Sequence, residues 1–153
     1  MSEMPWIRWL DLDTEIEPDG TLTVRLVRPK PEHLNHNGAV NAAVVYGVAE
    51  VAGAGAAVLG FLDLLDRTYT VVESSEIQYT AQARGGLVAT ARLDTEAALR
   101  ARADMDNARP HDITIDVDLT DPAGVTTGDA HFQIALRPRN QVAEHEPAEE
   151  TRA

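Results

Sequence analysis

Hydrophobic and polar positions alternate strictly through Leu10-Asp-Leu-Asp-Thr-Glu-Ile-Glu17, which predicts a half-buried strand over 10–17. Pro18-Asp-Gly20 predicts a turn, and Leu22, Val24 and Leu26 predict a returning hairpin strand over 21–28. A loop from Pro29 through Asn37-Gly38 follows, and then the period changes. From Gly38 to Leu62 the only charged side chain is Glu50, in an Ala/Gly/Val-rich run that predicts a helix over about 39–65. Ala43, Gly47, Glu50, Ala54 and Ala57 recur at three- and four-residue steps and make a small-residue stripe around the acid. Val44, Val48, Val51, Val58 and Leu62 make a bulky stripe roughly opposite, suited to packing on a sheet.

Alternation then resumes. Tyr69 to Ala83 predicts a long strand, Gly85-Gly86 a tight turn, and Leu87 to Asp94 the next strand. Thr95 to Ala108 fits either a short helix or an extension of that strand. His111 to Thr120 alternates again, with Ile113, Ile115, Val117 and Leu119 inward. Asp121-Pro-Ala-Gly124 is a turn before a last strand over 125–137. One long helix with a mainly antiparallel sheet of five to six strands is an α+β layer architecture, read as a single domain over 1–137. The acidic, Pro-containing stretch 138–153 is expected to be a disordered tail.

Charge and composition narrow the function classes. The formal net charge is −12, of which residues 141–153 supply −3, and the remainder argues against non-specific binding to nucleic acid or to an anionic membrane. The chain has no cysteine, so disulfides, thiol nucleophiles and zinc–cysteine sites are excluded, in keeping with a reducing cytoplasm. Residues 1–11 carry two Trp but no apolar run or cleavage pattern, so no signal peptide is expected. No metal-ligand pattern and no cofactor motif stand out.

Glu50 is the most informative residue, because a carboxylate in an apolar run is expensive to bury unless it is paired, protonated or put to use. The run is about as long as the ~20 residues a membrane span needs. The central Glu50, the many Gly and Ala, the Asn-rich start and the acidic flanks Asp63 and Asp66 argue against a span. The remaining alternative is a structural glutamate, tied to a backbone amide or an arginine.

The element order and the residues at the helix entrance resemble the hotdog-fold acyl-CoA thioesterases, nearest to the phenylacetate-pathway branch. That branch reads Asn-x-x-Gly-x-x-His, with an Asp or Glu nine residues after the His on the central helix. Asn35, Gly38 and Glu50 match, and Asn41 stands where the His would be. Gly47-Val-Ala-Glu-Val-Ala-Gly53, Ile77-Gln-Tyr79 and Ala83-Arg-Gly-Gly-Leu87 continue the likeness, which covers roughly 10–137.

The resemblance implies a hotdog fold, one central helix wrapped by a curled sheet, and thioester hydrolysis in a homodimer or a tetramer of dimers. Glu50 of one subunit would face the helix entrance of its partner, acting as general base on water or as nucleophile through an anhydride. Backbone amides near Asn41 and Ala42 would hold the oxyanion, because a helix N-terminus offers unpaired N–H groups and a favourable dipole. Asn35 either orients a water or caps the loop. Asn41 can position a group by hydrogen bonding but cannot titrate as the family His does. Gly38, Ala42, Ser74 and Arg84 are the candidate substrate contacts: a loop glycine, a helix-start residue, a strand hydroxyl and a cation for a CoA phosphate. Ser75 and Thr80 are further strand hydroxyls, and His33 and His36 read as loop residues. CoA enters only as part of the substrate. The competing readings are a hotdog protein that binds an acyl thioester or small apolar molecule without cleaving it, and a dehydratase or hydratase, for which the Asp/His pair is missing.

Overall fold

The computed structural model describes residues 4–139, and the predicted tail lies outside them apart from Pro138 and Arg139. The elements are α1 (Pro5–Leu10), β1 (Asp13–Ile16), β2 (Leu22–Leu26), α2 (Ala42–Gly60), β3 (Thr68–Tyr79), β4 (Leu87–Ala91), α3 (Thr95–Asp106), β5 (His111–Thr120) and β6 (Thr126–Pro138). The six strands form one sheet in the order β1-β2-β4-β5-β6-β3, every neighbouring pair antiparallel. One long helix lies against this open sheet, the hotdog architecture that the family resemblance implies.

Several boundaries differ from the pattern-based expectation: β2, β3 and β4 end at Leu26, Tyr79 and Ala91, short of the expected 28, 83 and 94. The alternating run 10–17 contributes only the short, exposed strand β1, because Pro5 starts a helix just before it. Ile7 and Leu10 bury the same face of that helix, and Asp11, in a left-handed conformation, ends it. The central helix is shorter than 39–65. Asn41 caps its start and the chain leaves it at Phe61, passing into a single 3₁₀ turn over Leu62–Leu64. The open segment 95–108 is helical, capped by the Asp94 carboxylate accepting from the Ala97 amide at 2.8 Å. Pro138 pairs with Thr68 and closes β6, so the last strand runs one residue past its expected end.

How α2 meets the sheet also departs from expectation. Val44, Val48 and Val51 are buried as the bulky stripe predicts, but Val58 is only half-buried and Leu62 is 57% exposed. The missing contacts come from Ala49, Ala52 and Ala56, which are almost fully buried. Gly53 lies so close to the sheet that a Cβ there would come within 2.8 Å of the Phe132 ring and 3.2 Å of Val117. Small residues thus line the sheet side of the helix as well as the side bearing Glu50. The Ala42–Gly60 helix is apolar and long enough to cross a membrane, yet in this fold it is the mostly buried core helix.

The outer sheet face is acidic. His131 lies between Asp116, at 2.6 Å from Nδ1, and Asp129, at 3.4 Å from Nε2. The hydrogen bond to Asp116, with the charges of Asp116, Asp129 and Glu76, raises its pKa above the ordinary histidine value.

The helix–sheet contact yields a stability prediction. Gly53→Val places a branched side chain where the Phe132 ring already lies. It should lower stability by about 1–3 kcal/mol, read as a lower urea midpoint at unchanged slope.

Candidate functional site

Glu50 sits at the middle of α2 on the side turned away from the sheet, half-buried. Among the described residues it is the one charged side chain on the wall of a groove of about 570 Å³, otherwise formed by apolar and aromatic residues including Trp6, Ile7, Val51, Ala54 and Val58. The volume falls within the ~300–1,000 Å³ usual for small-molecule sites. The ion pairs among the described residues all use other carboxylates, so no arginine or lysine neutralises Glu50 there.

The far wall of the groove is α1, and it is built as a stack. The Trp6 indole lies on Gly47, where a Cβ would approach its ring to 2.9 Å. Trp9 stacks on Trp6 with centroids 5.1 Å apart, and His33 meets Trp9 edge-on at 4.5 Å. His33 is fully buried. Its Nδ1 accepts the Lys30 amide at 3.2 Å, so the ring proton belongs on Nε2, which donates to the Trp9 carbonyl at 3.2 Å. His33 is a loop residue, as expected, and from a 3₁₀ turn of the loop before α2 it ties the groove wall to that loop.

That loop is held by the predicted residues themselves. The Asn35 side-chain oxygen accepts from the Asn37 amide at 2.9 Å and the Ala39 amide at 3.3 Å, so it caps the loop. Gly38 completes the turn at φ +68, with open space where a Cβ would be, so its role is conformational. Arg84 donates to the Asn37 carbonyl at 3.0 Å and to the Gln82 side chain, bracing the same turn from outside.

Asn41 is the N-cap of α2. Its side-chain oxygen accepts from the Ala43 amide at 2.9 Å, and its own amide donates to the His33 carbonyl at 2.8 Å. Ala42 opens the helix, and among the described residues its N–H has no acceptor within the fold, as expected of a first-turn donor. The Tyr79 hydroxyl donates to the Ala42 carbonyl at 3.2 Å, and burial, with a smaller contribution from Tyr46, raises its pKa.

Ser74 and Ser75 fall on opposite faces of β3. A bulge between Val72 and Ser74 shifts the register so that Ser74 pairs with Gln133 on the outer face and Ser75 with Phe132 on the helix face. Ser75, not Ser74, bonds the Tyr46 hydroxyl of α2, at 2.9 Å. A period of two cannot locate a bulge, so nothing in the alternation marks the switch.

Asn35, Gly38, Asn41, Ala42 and Arg84 therefore gather at the start of α2. Glu50 is separated from them along the same helix by nine residues, roughly 13 Å of rise. Sequence reasoning missed Trp6, Trp9, Tyr79 and His33. The only available signal was Pro5-Trp-Ile-Arg-Trp-Leu10, whose Ile7 and Leu10 share the three-residue helical step that the longer alternating run obscured.

Known structures share this arrangement of helix and sheet. A Pseudomonas aeruginosa protein named a probable thioesterase is 21% identical, with 90% of each chain covered and a TM-score of 0.75. A mutant thioesterase from the same organism is 17% identical over 90% of this chain and 88% of its own, with a TM-score of 0.68. A mutant of the phenylacetic acid degradation protein PaaI from Thermus thermophilus is 18% identical over 88% of this chain and 99% of its own, with a TM-score of 0.62. The fold is thus the hotdog fold that these structures share. No curated protein sequence matches the chain. Residues 12–136 match a family model, and the chain belongs to that family, described as a domain of unknown function, DUF4442.

The cap carries its own prediction. Asn41→Ala removes an acceptor from the first turn of α2 and should lower stability by about 1 kcal/mol. Asn41→Asp keeps the acceptor and should hold the wild-type urea midpoint.

Proposed function

We propose that this protein hydrolyses an acyl-CoA thioester in a homodimer, with Glu50 of one subunit facing the α2 entrance of the other. The observation that carries the reading is Glu50 itself: half-buried in an apolar groove wall, with no cation beside it among the described residues. That arrangement disfavours a structural glutamate and suits a base that must meet a polar group brought in from outside.

Water adds to the thioester carbonyl while its proton passes to Glu50. The oxyanion that forms is held by first-turn amides such as that of Ala42. The carbon–sulfur bond then breaks, and the CoA sulfur leaves with the proton that Glu50 had taken. No cofactor is needed beyond the CoA of the substrate. The reaction belongs in the cytoplasm, consistent with a chain without cysteine.

Dimerisation is supported by two features. The roughly 13 Å between Glu50 and the entrance on one helix is too long for one reacting carbon. The sheet also ends in β3, a twelve-residue strand with one unpaired edge and exposed Tyr69, Val71 and Tyr79, the kind of edge that pairs with another chain.

The specific observation favouring the second reading, a binding protein without turnover, is Asn41. Its oxygen is committed to the cap and it offers no titrating nitrogen.

An acyl-CoA hydrolysis assay with thiol detection separates the two. Glu50→Gln preserves the shape and removes the base, so the rate should fall by at least ~100-fold. Full activity in that variant removes Glu50 from the mechanism.

A further inference from the structure

The groove beside Glu50 has one wall from the core and one from a short N-terminal helix. The core wall is α2, fixed by its packing on the sheet. The other is α1, six residues long, joined to the rest through Ile7, Leu10 and the Trp6–Trp9–His33 stack. Resting on the reading of Glu50 as the reacting carboxylate, we infer that α1 is the specificity element of the site. Trp6 is the residue that sets how long an acyl chain the groove accepts.

Three observations converge on Trp6. It lines the groove directly, together with Glu50 and Ala54. It is 46% exposed, so its indole presents ring surface to whatever occupies the groove and is not an element of the core. Its place on α2 depends on Gly47, since a Cβ at that position would approach its ring to 2.9 Å. The wall is also held at a defined height. His33 is fully buried with both ring nitrogens engaged, and its carbonyl takes the amide of Asn41, the cap of α2. Groove wall and helix entrance therefore share one anchor.

The occupant follows from the lining. Among the described residues, the lining side chains other than Glu50 and the indole of Trp6 are apolar. The groove therefore suits an unbranched or aromatic hydrocarbon group whose only polar end is brought to the carboxylate. An acyl thioester has that form.

The two tryptophans of the chain, Trp6 and Trp9, both lie in α1. Intrinsic fluorescence thus reports on this wall alone, and Trp9→Phe leaves Trp6 as the single reporter. Decanoyl-CoA added to Trp9→Phe in the presence of Glu50→Gln, which prevents turnover, should change the Trp6 emission saturably. Two variants then move the wall in different ways. Trp6→Ala removes it, with Trp6→Phe as the milder version. Gly47→Ala displaces the indole while raising helix propensity, so loss of fold does not explain its effect. Each should alter the ratio of kcat/KM for dodecanoyl-CoA over hexanoyl-CoA by at least ~10-fold.

An unchanged ratio in both Trp6→Ala and Gly47→Ala, with hydrolysis still abolished by Glu50→Gln, overturns the role of α1 and leaves the hydrolase reading intact. Binding of decanoyl-CoA by calorimetry without any Trp6 emission change does the same. No binding and no hydrolysis with any acyl-CoA overturns both.

Discussion

The close approach of α2 to the sheet is the constraint on which the rest of the structure depends. Gly53 rests on Phe132, and Ala49, Ala52 and Ala56 fill the interface beside it. A helix that presses this near a sheet has little room for large side chains on its inner side. Its one charged residue must then emerge on the other side, and Glu50 does. Interiors pack at crystal-like density, so this is a fixed geometry and not a loose preference. The same constraint leaves the outer side of α2 without a cover of its own. The short α1 supplies part of one, through Trp6 on Gly47.

The entrance of α2 is organised by hydrogen bonds where the helix body is organised by volume. Asn35 satisfies the amides of the turn, Asn41 an amide of the first helical turn, and Arg84 the carbonyl of Asn37. For Asn35 this is one of the two roles the sequence left open, whereas Asn41 and Arg84 use groups that the hydrolase reading offers to the reaction and to the CoA phosphate. The side-chain oxygens of Asn35 and Asn41 are committed to the backbone, and the entrance presents their side-chain NH2 groups together with the Ala42 amide and the positive end of the helix dipole.

Much of the fold was legible because period is a strong signal where an element is long. The strands β5 and β6 follow their patterns closely, and α2 forms within its expected run although its sheet-facing side is lined by alanines as well as valines. Short elements were not legible. The six residues of α1 are outweighed by an alternating run that begins at Leu10, and only Pro5 marks the change. Of the candidate site, Glu50 was readable because a lone acid in an apolar run needs an explanation. The role of Asn41 was not, because Asn serves equally as a ligand and as a cap, and only its contact with the Ala43 amide decides. Which of Ser74 and Ser75 faces α2 was not legible, because a bulge is a single extra residue with no pattern of its own. His33 escaped because its partners, Lys30 and Trp9, mean something only once α1 is folded against the loop.

A composite site needs two chains, and that is the claim from which the chemistry follows. Sedimentation velocity of the wild-type protein at micromolar concentration tests it most directly. The expected result is a species of at least twice the 16.6 kDa chain mass, with acyl-CoA hydrolysis co-migrating with it. A 16.6 kDa monomer that hydrolyses the thioester at full rate would contradict it.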